Sequence, residues 1–255
     1  MKKYLPYSWY AAKASLRAEV AGSYLNWLWW VINPLAMMLV YSFIFGVVFD
    51  AREEYFPAFL FIGLTLWDHF SRGINNSVKI VKKRKGVITK VYLPKYVLIL
   101  SELFASVIKM LFSFGVIVVM LFVLRVPVTW NVLWIIPLVI VETIFTFGLA
   151  CFVMHFGVFV EDLSNIIKIV MRFVYYGTGI FWNVETRLAN YPKAQFFMMH
   201  WNPVGFFVVN GRRCLLQATH PDLIWLLFWL VASLVLSGFG ILLVYRCENS
   251  YIKAI

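Results

Sequence analysis

Long uncharged apolar runs alternate along this chain with short stretches that carry most of the charge. Six segments are long enough to be helices crossing a bilayer, at about 27–49, 55–78, 96–124, 132–158, 165–182 and 222–245. A hydrocarbon core of ~30 Å needs ~20 residues at a helical rise of ~1.5 Å. The first segment holds no charged side chain, and Asn33-Pro34 lies near its start, where a missing backbone N–H costs little. The second carries Asp68, His69, Arg72, Asn75 and Asn76 in its later half, which should face protein or water rather than lipid. Leu93-Pro94 ends any helix before the third, and Asp162 to Ser164 offers an N-cap for the fifth.

Two segments depart from the crossing pattern. Between residues 6 and about 27, Trp9, Leu16, Val20, Tyr24 and Trp27 recur on one helical face flanked by Lys13 and Arg17, so residues 1–26 read as an interface helix. Residues 183–221 hold apolar runs too short to cross, interrupted by Pro192, Asn202-Pro203 and Pro221. They predict a re-entrant hairpin of two half-helices, with Asn202 capping and Pro203 opening the second. The expected fold is therefore all-α: one membrane domain over 1–255 with six spans, an interfacial N-terminal helix and an outer hairpin between spans five and six.

Charge orients this arrangement. The stretch 79–95, KIVKKRKGVITKVYLPK, carries seven basic residues and no acidic one between spans two and three. Short loops rich in Lys and Arg stay in the cytoplasm, which puts both termini inside. Sixteen Lys or Arg residues then fall in inner segments and six in outer ones, as the rule requires. Composition agrees, with 62% hydrophobic and 14% charged residues and a mean hydropathy of +0.81. The net charge of +11 sits in loops beside apolar runs, so lipid headgroups explain it and nucleic acid is not an expected partner. Cys151, Cys214 and Cys247 fall at different depths, and no disulfide is expected. The N-terminus lacks the pattern of a cleaved signal peptide and reads as part of the mature protein.

Catalytic chemistry is sparse. The chain has no GxxxxGK[ST] phosphate loop, no HExxH and no Cys-His cluster with metal-ligand spacing, so neither a catalytic centre nor a metal site is expected. Asp68 with His69 is the one adjacent acid and imidazole, and polar lining explains it. Counting helical rise from opposite ends puts Lys109 and Glu142 at comparable depths, which predicts an intramembrane ion pair. The run Tyr175 to Trp182 joins flat aromatic side chains to Gly177 and Gly179, which let backbones approach or bend. A transporter subunit accounts for these features together.

The segments YLNWLWWVINPLAMMLVYSFIFGVVF at 24–49, KGVITKVYLPK at 85–95, FVEDLSNII at 159–167, GTGIFW at 177–182 and WNPVGFFVVNGRR at 201–213 occur in an order and spacing that resembles the ABC-2 type permeases exporting bacterial O-antigen, capsule and wall teichoic acid. The resemblance covers nearly the whole chain. It departs at Thr178-Gly179-Ile180, where the family often has a Pro-Ile turn, and at FVED, where an Arg-Asp pair is common; Asp162 carries over and the arginine does not.

The resemblance implies a non-enzymatic permease in the bacterial cytoplasmic membrane, working as a homodimer. ATP and Mg would belong to a separate nucleotide-binding subunit docked on Lys82, Lys83, Arg84, Lys85, Lys90 and Asp162. The hairpin would be the outer gate and the substrate a glycan or polyol-phosphate polymer on a lipid diphosphate. Spans one, two and five of two protomers would then enclose a path in which Phe70, Tyr175, Tyr176, Phe181 and Trp182 stack on sugar rings. At the hairpin, Arg212 and Arg213, with Asn202 and Pro203, would meet the diphosphate or form the gate. Two other readings fit the same spans, an ABC-2 exporter of a small molecule and a membrane-embedded enzyme of envelope synthesis.

Overall fold

The computed structural model describes residues 4–22, 24–48, 53–90 and 92–253, the side chains of residues 26, 47, 48 and 252–253 aside; Asp50 and Arg52 of the first expected outer loop lie outside them. Every regular element among the described residues is helical. Helix α1 (Leu5–Val20) leads through a short turn, Asn26–Leu28, into α2 (Trp29–Tyr41), which continues as a π-helical stretch to Val48. Then come α3 (Phe56–Val78), two single turns α4 (Ile80–Lys83) and α5 (Lys85–Ile88), α6 (Tyr96–Val123) and α7 (Ile135–Phe159). The chain closes with α8 (Leu163–Gly177), short α9 (Val184–Arg187) and α10 (Pro192–Phe196), α11 (Pro203–Leu215), α12 (Leu223–Arg246) and α13 (Glu248–Lys253).

Among the described residues, four helices are long and apolar enough to cross a membrane: α2 with its continuation, α6, α7 with the turn before it, and α12. Their outward faces stay apolar and exposed, as in Val119 and Phe122 of α6 and Val235, Phe239 and Leu242 of α12. Helix α3 is as long but more polar, and the packing explains why. It sits at the centre against α2, α6, α7, α8 and α11, with seventeen of its 23 residues buried. Polar side chains are tolerated there because protein, not lipid, surrounds them. His69 is fully buried between Ser106 of α6 (3.0 Å) and Thr143 of α7 (3.1 Å). The Thr143 hydroxyl donates to the Val139 carbonyl, so it accepts from Nε2–H of His69, and Nδ1 in turn accepts from Ser106.

Helix α1 uses a narrower face than the aromatic stripe suggests. Ser8, Ala12 and Leu16, four residues apart, are buried, with Ala12 and Leu16 packed on Ala105 of α6, while Trp9 lies edge-on to Phe104 at 6.1 Å. Small residues let the two helices approach, and the larger aromatics stay at the rim. Helix α8 is shorter than the expected fifth span. It ends at Gly177, roughly 22 Å from its start by helix rise. The chain then turns at Gly179, whose φ of +71° is open to glycine and strained for other residues. The glycine bend expected at Thr178-Gly179-Ile180 is thus present.

Candidate functional site

Helices α2, α3 and α8 enclose a cavity of about 380 Å³ lined by Asn33, Pro34, Met37, Tyr41, Leu64, Trp67, Asp68, Arg72 and Tyr175. Leu64, Asp68 and Arg72 recur every four residues and therefore share one face of α3. Asp68 and Arg72 form an ion pair at 2.8 Å with both side chains partly exposed to the cavity. The apolar wall is aromatic: Tyr175 meets Trp67 at 5.2 Å and Phe181 at 5.1 Å, and Phe181 meets Tyr41 at 4.8 Å and Phe45 at 5.0 Å. Flat faces beside a charged pair and an amide offer both surfaces a sugar presents, its C–H faces and its hydroxyls.

Of the five aromatics expected on a path, only Tyr175 lines this cavity. Tyr176 is exposed on α8 at 5.3 Å from it, and Phe181 is buried behind it. Phe70 lies in the core, stacked on Phe145 of α7 at 6.2 Å. Trp182 packs with Val184 at the start of α9. Sequence reasoning missed Tyr41, Trp67 and Asn33 as lining, although the four-residue spacing from Leu64 to Arg72 marked the face that holds the polar pair.

The expected pair of Lys109 and Glu142 does not form. Lys109 binds Glu19 of α1 at 2.5 Å and lies 5.7 Å over the Trp30 ring. Glu142 is fully buried on α7, and neither of its oxygens has a hydrogen-bond partner among the described residues. Rise along a helix gives depth but not azimuth, and Lys109 points to the face of α6 that carries α1. The Lys109→Ala and Glu142→Ala changes should therefore add within ~0.5 kcal/mol. A double-mutant cycle on unfolding in detergent measures this, and a Lys109–Glu19 cycle should give a coupling of only ~0.2–1 kcal/mol because Glu19 is half exposed.

Arg212 also has a different occupation from the diphosphate contact expected of it. It is buried, with Nε donating to the Phe59 carbonyl (3.0 Å), Nη1 to Gly179 (2.7 Å) and Nη2 to Ile180 (2.6 Å). Its Cζ lies 3.4 Å from the Phe59 ring centroid. Arg213 pairs with Glu185 on α9, Nε at 2.9 Å, and Glu53 accepts from Asn183 and Thr186. Asn202 caps α11 by accepting from the Gly205 N–H at 3.2 Å, and Pro203 is the first helical residue. Helix α11 is thus latched to α3 and to the turn after α8.

At the opposite end, the basic stretch folds into the two single turns α4 and α5. Lys82 pairs with Glu161 at 3.2 Å, and Arg84 pairs with Glu102 at 3.1 Å while donating to Ser15 of α1. Lys83, Lys85 and Lys90 are exposed, as is Asp162, which precedes α8 without a side-chain cap bond. Lys95 is buried and pairs with Glu248 of α13 at 2.9 Å. The Glu248 charge and hydrogen bond raise the Tyr92 phenol above its ordinary value, and burial does the same for Tyr251. Both phenols therefore remain neutral donors near neutral pH.

No family model matches the chain. It is 26% identical over 207 residues to the O-antigen export system permease protein of Myxococcus xanthus, covering 81% of this chain and 79% of that one. A Klebsiella pneumoniae protein of the same description is 27% identical over 205 residues, covering 80% and 78%. Over about four fifths of its length the chain is thus similar to permease proteins of O-antigen export systems, and its helical architecture is fit for a membrane.

Proposed function

We propose that this permease exports a lipid-linked cell-surface polysaccharide of the O-antigen type across the bacterial cytoplasmic membrane, driven by a separate ATPase subunit that binds ATP and Mg. The observation that carries the reading is the cavity between α2, α3 and α8, where Tyr41, Trp67 and Tyr175 stand beside Asp68, Arg72 and Asn33. Stacking holds a sugar ring without demanding one hydroxyl pattern, so successive units can slide past. Tyr176 and Phe181 extend this aromatic surface.

In this reading the membrane is crossed six times, by α2, α3, α6, α7, α8 and α12, with both termini cytoplasmic and the hairpin α9–α11 re-entering from outside. The polarity of α3 and the shortness of α8 support an interior place for both, against a second copy of the chain. Helix α8 buries only Met171 and exposes Ile166, Ile169, Val170 and Phe173, an apolar face that a twofold-related copy would cover. The ATPase docks on the basic end, where Lys83, Lys85, Lys90 and Asp162 are exposed and Lys82 and Arg84 hold the segment in place.

The test is export in membranes containing this chain and its ATPase. Tyr175→Ala and Trp67→Ala should each lower polymer export per folded chain by about tenfold, equivalent to ~1.4 kcal/mol, with basal ATP hydrolysis per folded chain intact; the normalisation matters because Trp67 is a core residue whose truncation also costs stability. Export at the wild-type rate in both variants would remove the cavity from the path.

A further inference from the structure

The buried chemistry at the basic end has no part in the cavity. Lys95 immediately precedes α6, and Glu248 opens α13 one residue beyond Cys247, the cap of α12. Their ion pair thus joins the same-side ends of two long helices, with side chains only 2% and 8% exposed. The neighbouring pairs are wetter, since Glu161 is 87% exposed and the Arg84 side chain 38%. Exposed pairs contribute ~0–1 kcal/mol, whereas breaking a buried one leaves a charge without compensation.

Other contacts extend the joint. Glu248 accepts from the Tyr92 hydroxyl at 3.2 Å, and the Lys95 ammonium lies 5.6 Å from the Tyr92 ring centroid. Further along α13, Tyr251 is fully buried with its hydroxyl 2.8 Å from His155 Nδ1 and its ring 5.9 Å from that of Phe159, both on α7. Three helices and the basic stretch therefore meet on six residues of C-terminal helix. Two of the three helices lining the cavity are held far less than the central α3: α2 buries Pro34 and Met38, and α8 buries Met171.

We propose that α13 is a strap that locks the 79–95 segment to α6, α7 and α12, so that a push on that segment moves those helices as one body against α2 and α8. Lys95 and Glu248 are its positioning residues. The consequence for export rests on reading 79–95 as the ATPase docking segment, while the strap itself does not.

Hydrogen exchange on the full chain in lipid nanodiscs, with no partner present, tests the strap. Glu248→Gln keeps the shape and the Tyr92 bond but removes the charge, and should speed amide exchange about tenfold in peptides covering 79–95 and 248–253 while α3 and α11 stay protected. The swap of Lys95→Glu with Glu248→Lys should restore at least part of that protection. With the ATPase added, Glu248→Gln should raise ATP consumed per polymer exported severalfold with docking affinity retained. Unchanged exchange over 79–95, or an equal loss of protection through every helix, would overturn the strap. A wild-type chain that binds no ATPase would instead sink the functional reading and leave the exchange result standing.

Discussion

Replacing Arg212 with alanine should cost ~3–5 kcal/mol, enough to consume much of the stability of an ordinary domain. The guanidinium donates to three carbonyls that belong to two separate pieces of chain, Phe59 in the first turn of α3 and Gly179-Ile180 in the turn after α8. Hydrogen bonds to a charged donor contribute ~1.5–3 kcal/mol each, without strict additivity. The alanine variant takes the guanidinium from the Gly179 and Ile180 carbonyls of the turn, removes the second bond of the helical Phe59 carbonyl, and empties the space under the Phe59 ring. Arg212→Lys should recover only part of the loss, because an ammonium is compact and the three acceptors are spaced for a planar fork. Gly63→Ala tests the same joint from the other side, since an added Cβ would lie 2.7 Å from Nη2 of Arg212. Thermal unfolding in detergent measures all three. A lysine variant with wild-type stability and a selective loss of polymer-stimulated ATP hydrolysis would return Arg212 to the diphosphate role.

Arg212 also marks where the sequence stops being readable. A pair of arginines beside WNPVGFF shows charge near a membrane boundary, and both lipid phosphate and backbone carbonyls satisfy an arginine fork. Only the fold brings Phe59, Gly179 and Ile180 to one point. The long helices were legible because lipid demands continuous apolar sequence, and their ends because Asp222, Asn202-Pro203 and Leu93-Pro94 leave local chemical marks. Asp222, for instance, accepts from the Trp225 N–H at 3.3 Å at the start of α12. Helix α3 was legible for the opposite reason, as polar residues at that depth have to face protein.

Azimuth was not legible. Lys109 and Glu142 share a depth and point to different neighbours, and the choice of Phe70 over Trp67 as cavity lining failed in the same way. Nor did the short C-terminal tail betray its burial. Glu248 and Tyr251 look solvated in sequence, and they become core residues only because Lys95 and His155 arrive from elsewhere in the chain.

Gly157→Ala should lower stability by ~2–3 kcal/mol even though alanine is the better helix former by ~1 kcal/mol. Gly157 lies near the end of α7, where a Cβ would fall inside the contact distance of the Val78 carbonyl oxygen and 2.9 Å from its carbon. The obstacle is backbone, so no rotamer change relieves it and the two helices must separate. Gly115 on α6 supplies the control, since a Cβ there meets nothing within 4 Å. Gly115→Ala should stabilise by ~0.5–1 kcal/mol through propensity alone. Separation at Val78 would also reach function, because Val78 is the last residue of α3 and the buried Ile80 and Val81 follow it into the basic segment. Export per ATP in Gly157→Ala should therefore fall by more than the loss of folded protein accounts for, measured as transport normalised to the amount of folded chain. If normalised transport is unchanged, contact between α7 and the end of α3 supports the fold without carrying the ATPase stroke.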